Sequence, residues 1–247
     1  MSIESKFNLK THFIELKTRL IYVLIVFLIS FLCSYYFVED IYKFLLKPLL
    51  SQWENKDRSM IYTNLAEIFF SYLSLAYYVS MFVTIPFFIC QIYIFIAPGL
   101  YKHEKKHILP FLIASPILFM LGAVFVYYVI FPVAWNFFLS FENYSFDTHI
   151  PMKLEAKVSE YLSIVINMII AFGIAFQMPI LLSLLAKIGL ITDKTLKEKR
   201  KYAIVFIFVI AAILTPPDAI TQIGLAIPMM ILYELSIIIA KKIKRED

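Results

Sequence analysis

The stretch 202–240, YAIVFIFVIAAILTPPDAITQIGLAIPMMILYELSIIIA, decides how this chain folds. Read as one segment, it carries two adjacent prolines and an aspartate inside a continuous apolar run. A proline in a helix interior removes a backbone donor and clashes with the carbonyl four residues back. A carboxylate at that depth in a bilayer is expensive. Read as two segments, it gives a 13-residue run from Tyr202 to Leu214, a tight turn at Thr215-Pro-Pro-Asp218, and a second run from Ala219 to Ala240. The first run spans only about 20 Å as a helix, a shortfall that local thinning of the bilayer accommodates. A short helical hairpin is the better reading.

The rest of the chain is of the same kind. Hydrophobic residues make up 61% of its 247 residues and charged ones 17%, and the mean hydropathy is +0.80. A bilayer core about 30 Å thick needs roughly 20 apolar residues per helix, and further runs of that scale lie at about 20–38, 67–97, 108–135 and 161–186. The expectation is an all-α membrane protein with six transmembrane helices, at those four stretches and at 202–214 and 219–240, forming one integral membrane domain over 1–247. The start of the chain carries charge too early and too mixed for a signal peptide, and the first apolar run, from near Leu20 and about 19 residues long, exceeds the usual cleavable h-region, so it is taken as a retained span. Within 39–66, Ile41, Tyr42, Phe44, Leu45, Leu49 and Leu50 recur at three- and four-residue intervals, as in an amphipathic helix lying on the membrane or on neighbouring spans.

Six spans put both termini on one side, and the charges test this. Segments 1–19, 98–107, 187–201 and 241–247 together hold 17 of the 23 Lys and Arg residues; 39–66, 136–160 and 215–218 hold six. The positive-inside rule then places both termini in the cytoplasm or an equivalent organellar compartment. The net charge of +5 is therefore a membrane-topology signal, and nucleic acid is not an expected partner. Trp135 falls where an interfacial aromatic is expected.

Prolines 86, 110, 116, 132, 179 and 228 lie inside the spans. They either kink and tilt the helices into a concave bundle or are simply tolerated there. Glu67 stands at the outer start of the second span, as an interfacial or a functional group. Glu234 is the deepest carboxylate and either needs a partner within the bilayer or reaches the cytoplasmic interface. Asn167, Gln177 and Gln222 need hydrogen-bond partners, supplied by neighbouring helices or by a ligand.

The cytoplasmic face has the more suggestive chemistry. In His12-Phe-Ile-Glu-Leu-Lys-Thr-Arg19, Glu15 and Arg19 are spaced i,i+4, the distance of a local ion pair. In Pro98-Gly-Leu-Tyr-Lys-His-Glu-Lys-Lys106, Glu104 stands among three lysines, which a positive-inside loop does not explain. Two surface carboxylates are suited to the guanidinium forks of a cationic peptide.

Enzymatic and cofactor signatures are missing from the sequence: it has no GxxxxGK[ST], HExxH or GxSxG. Cys33 and Cys90 give neither metal spacing nor a disulfide framework. His103 and His107 are spaced i,i+4 but flank a lysine-rich segment, so no metal is expected. A small-solute secondary transporter is the alternative class. It calls for an internal repeat and ionisable midplane groups; no repeat is visible, and Glu234 is the one deep candidate.

Four stretches, HFIELKTR (12–19), FIAPGLYKHEKK (95–106), FGIAFQMP (172–179) and LTPPDAITQIGLAIPMMILYE (214–234), resemble the TatC family, the multispanning core of the twin-arginine protein translocase. The resemblance implies six spans in a cupped bundle with cytoplasmic termini. It implies no enzymatic activity and no cofactor. The implied function is recognition of twin-arginine signal peptides on folded cargo proteins and their transport, driven by the protonmotive force, across a bacterial or mitochondrial inner membrane. Implied partners are single-span subunits of the TatA/TatB type, with self-association in a receptor complex. Glu15 and Glu104 match the family's signal-binding glutamates, with His12, Lys17 and Arg19 beside the first; Pro48 matches another characteristic position. Thr215 and Gln222 match positions where the small partners dock. Many bacterial members carry a glutamate where this chain has Gln177, which hydrogen-bonds but carries no charge.

Overall fold

A computed structural model of the chain describes residues 3–53, 59–96, 108–141, 154–215 and 218–246. Among them the fold is entirely helical, apart from one isolated backbone bridge between Ile61 and Lys157. The elements are α1 (Ile3–Tyr36), α2 (Val38–Leu50), α3 (Glu67–Ile96), α4 (Ile108–Phe125), a π-helical turn (Val126–Ile130), α5 (Phe131–Ser140), α6 (Val158–Ala175), α7 (Met178–Lys187), α8 (Asp193–Glu198), α9 (Arg200–Leu214) and α10 (Ala219–Glu246). Five helical stretches are long and apolar enough to cross a membrane: Phe13–Tyr36, Glu67–Phe95, Pro110–Ser140, Val158–Lys187 and Ala219–Lys242. With 15 residues, α9 is about 22 Å long and falls short of that length.

Several boundaries follow from local chemistry. No glycine or proline interrupts 3–36, so α1 starts well before the apolar run read from Leu20. The residue before a proline is pushed out of the α region, and Thr215, before Pro216, is extended at φ −100° and ψ 158°. Asp218 then caps α10, its Oδ1 accepting from the Thr221 amide at 2.7 Å. At the end of α7, Gly189 takes φ +76°, the left-handed conformation that closes a helix.

Side-chain contacts give the order of packing. Arg19 meets Gln91 and Phe27 meets Tyr77, so α1 and α3 run antiparallel. Cys90 meets Leu112 and Phe82 meets Phe119, setting α4 antiparallel to α3. Ser115 meets Gln177 and Trp135 meets Tyr161, setting α4–α5 antiparallel to α6–α7. Arg200 meets Glu234 and Gln222 meets Phe208, so α9 and α10 form the hairpin expected from 202–240. The close-packed pairs make a row from α1, through α3, to α4 and α6, then α7, α10 and α9. None of the most apolar window of α1 is buried, against 56% of that in 158–187, so the α6–α7 stretch forms the centre of the row.

At that centre two glycines set the closest approach. A Cβ at Gly122 would lie 2.6 Å from the Phe172 carbonyl oxygen, and one at Gly173 would lie 2.7 Å from the Phe119 ring. Small residues at such crossings let helix backbones approach closely, which improves van der Waals packing between helices in lipid.

The segment before α3 does contain an amphipathic helix, α2, with Val38, Leu45, Leu46, Pro48 and Leu49 buried and Glu39, Asp40, Lys43 and Lys47 outward. Pro48 cannot donate to the Phe44 carbonyl; the Tyr127 hydroxyl, from the π-helical turn, donates to that oxygen at 2.7 Å instead. The Tyr161 hydroxyl donates to the adjacent Leu45 carbonyl, also at 2.7 Å. Trp135, expected at an interface, is instead buried, packed between Phe131, Phe138 and Tyr161. Its helix turns that face toward α6 rather than outward.

Candidate functional site

Glu15 and Arg19 lie one turn apart near the start of α1. The Arg19 Nη2 and Nε donate to Glu15 Oε1 at 2.6 and 3.1 Å, and both side chains are partly buried. This order, carboxylate before cation, is the better one on a helix. The second Arg19 nitrogen, Nη1, donates to Oε1 of Gln91 on α3 at 2.9 Å. The guanidinium thus bridges two helices, above a small apolar recess of about 40 Å³ whose lining includes Leu16, Leu20, Phe88 and Phe95. Lys17 is exposed beside the pair. Glu104 and the His12 side chain lie outside the described residues, so the expected meeting of Glu15 with Glu104 is left to experiment. Gln91 escaped the sequence reading because an uncharged residue near a span end carries no signal of its own.

The other predicted polar groups fall in three places. Gln177 sits at the break between α6 and α7, is buried, and pairs twice with Ser115 on α4: the serine hydroxyl donates to Oε1 at 2.7 Å and Nε2 donates to the serine carbonyl at 2.9 Å. Each partner satisfies the other, as a buried amide requires. Glu234, read as the deepest carboxylate, is half exposed and accepts from Arg200 Nη2 at 2.7 Å. The chain's return through α8 brings Arg200 to it, an ion pair with no sequence-local signature. In the α9–α10 hairpin, Thr215 is buried and donates to its own helix at the Ala211 carbonyl, 2.9 Å away. Gln222 donates to the Phe208 carbonyl at 3.3 Å.

At the opposite end of the bundle, Glu67 accepts from the Thr63 amide at 2.8 Å and the Ser159 hydroxyl at 2.7 Å, with Lys157 Nζ at 3.8 Å. The backbone bridge adds Ile61 N to Ala156 O and Val158 N to Ile61 O, each at 3.1 Å. Glu67 therefore clips the segment before α3 to the start of α6. Between α2, α3, α4 and α6 lies an apolar cavity of about 240 Å³, bordered by Leu45, Tyr78, Phe82, Tyr127 and Ile166 among others. Among the described residues, no cluster of three or more His, Cys, Asp or Glu could hold a metal.

Comparison with known proteins agrees with this architecture. Residues 11–228 match the family model of the Sec-independent protein translocase protein (TatC). The Sec-independent protein translocase protein TatC of Rickettsia prowazekii (strain Madrid E) is 48% identical over 238 residues, covering 96% of this chain and 94% of the relative. The protein of the same name from Escherichia coli (strain K12) is 36% identical over 241 residues, covering 98% and 91%. A crystal structure of the twin arginine translocase receptor TatC superimposes with a TM-score of 0.79 at 38% identity, covering 94% of this chain and 99% of that one. The family is one of translocase components rather than enzymes, and this multi-pass membrane protein belongs to the TatC family.

Proposed function

We propose that this chain is the signal-recognising core of its translocase: Glu15 and Glu104, on the inner face, receive the paired arginines of a signal peptide. The same reading gives it six membrane crossings in an inner membrane, with both termini on the cytoplasmic side, and transport of folded cargo driven by the protonmotive force. TatA/TatB-type single-span subunits would dock on the α9–α10 hairpin near Thr215 and Gln222, and copies of the chain would associate in the receptor.

The observation that supports this most is the Arg19–Glu15 pair. The Glu15 carboxylate already accepts two hydrogen bonds from a guanidinium, so its position suits an arginine of a peptide. A guanidinium fork engages a carboxylate with a directionality that an ammonium lacks. The lysine-rich surroundings read from the sequence would hold this face against anionic lipid.

Photocrosslinking from positions 15 and 104 to an Arg-Arg signal peptide, with a Lys-Lys peptide as control, tests the reading. Strong Arg-Arg labelling at both positions, lost with the control, is the expected result. Glu15→Gln and Glu104→Gln should each weaken crosslinking while leaving membrane insertion intact. Undiminished crosslinking in both variants would remove the roles assigned to the two glutamates.

A further inference from the structure

Glu15 is not an open receptor in this structure. Its Oε1 is held by Arg19 of the same helix, and Arg19 is anchored across the α1–α3 interface by Gln91. We infer that Arg19 is an internal guanidinium that must be displaced before a ligand arginine can reach Glu15, and that Gln91 is the positioning residue that sets how readily it leaves. The inference rests on Glu15 being a signal-peptide site.

The geometry carries this in three steps. An exposed i,i+4 pair is weak because two long side chains must be ordered to form it. Here Gln91 shares that ordering. It accepts from Nη1 while Nε and Nη2 face Glu15, so the guanidinium plane is fixed before any ligand arrives. A site occupied by its own competitor binds ligand with an affinity reduced by the fraction of time that it is vacant. A ligand guanidinium that takes the Glu15 oxygen replaces the two hydrogen bonds from Arg19, and Arg19 must leave the plane in which Gln91 holds it, so Gln91 favours the occupied arrangement over the displaced one.

This differs from a purely structural role for Gln91. Loss of the anchor should raise the affinity of every ligand that uses Glu15 by one common factor, so the preference for Arg-Arg over Lys-Lys is unchanged. A structural defect should lower affinity and blur the preference.

The test is equilibrium binding of fluorescent Arg-Arg and Lys-Lys signal peptides to the full-length protein in nanodiscs, comparing wild type with Gln91→Leu, Gln91→Asn and Glu15→Gln. Neither change at 91 alters the local charge. Each should tighten both peptides by about threefold to tenfold at a constant ratio, with an unchanged melting temperature certifying the fold. Unchanged or weaker binding in Gln91→Asn, with Glu15→Gln still abolishing the Arg-Arg preference, overturns the displacement mechanism and leaves the signal-peptide reading standing. If Glu15→Gln binds like wild type, both fall together. Should Gln91→Leu not fold, Gln91→Asn, shorter but still polar, decides.

Discussion

Gln177 shows how a single buried polar residue is handled in this molecule. Its amide and the Ser115 hydroxyl and carbonyl satisfy one another across α4 and α6–α7. Interhelical hydrogen bonds in lipid contribute modestly, and a buried polar group that loses its partner costs about 1–3 kcal/mol. Gln177→Leu should therefore lower stability by about 1–2 kcal/mol, seen as a reduced melting temperature in detergent. Ser115→Ala made together with it should cost less than the two single changes summed, since the second removes groups already stranded. Equal and additive losses would mean that the two residues do not act as a pair.

The elements are held by groups that repair what proline and close packing disturb. Pro48 leaves the Phe44 carbonyl without a helical donor, and Tyr127 supplies one; Tyr161 also donates to the neighbouring Leu45 carbonyl, which ties α2 to α6. Tyr127→Phe should loosen α2, with faster amide exchange across 44–50 and a destabilisation of about 1–3 kcal/mol, while leaving the α9–α10 hairpin unaffected. Pro116 poses the same problem at the Leu112 carbonyl, and the Cys90 thiol approaches that oxygen at 3.6 Å. Gly122 and Gly173 behave differently, because backbone or ring atoms fill the space a methyl would need. Gly122→Ala, facing a rigid carbonyl, should destabilise by roughly 1–3 kcal/mol. Gly173→Ala should be milder wherever the Phe119 ring can turn aside, and a thermal melt of the two variants compares them.

At the scale of the whole molecule, the antiparallel sequence of contacts sets Glu15, Gln91, Arg200 and Glu234 at one end and α2, Glu67 and Lys157 at the other. Under the proposed topology, the positively charged segments put the first of those ends on the inner side of the membrane. In a chain carrying Cys33→Ser and Cys90→Ser, Ala219→Cys and Lys242→Cys should react with a membrane-impermeant maleimide from opposite sides. Labelling of both from the same side would contradict a crossing by α10. Glu67 ties the segment before α3 to the start of α6 through Thr63 and Ser159. Glu67→Gln keeps the acceptor oxygen but loses the charge facing Lys157, so it should be tolerated better than Glu67→Leu, as judged by protease resistance of the segment 59–66.

The helical class, the apolar runs, the α2 amphipathicity and the 202–240 hairpin were legible along the chain, because hydrophobic period and proline chemistry act within a few residues. So was the Glu15–Arg19 pair, which needs only helical spacing. Family membership was also legible, in four stretches of sequence. What the sequence did not disclose is every partner far away along the chain: Gln91 for Arg19, Ser115 for Gln177, Arg200 for Glu234, Ser159 for Glu67, and the tyrosines that take the carbonyls of α2. The inward turn of Trp135 belongs with them. Hydrogen bonds are short and directional, so they form only after packing has chosen which helix faces face each other. Covalent order and local period cannot specify that choice, and the tertiary structure makes it.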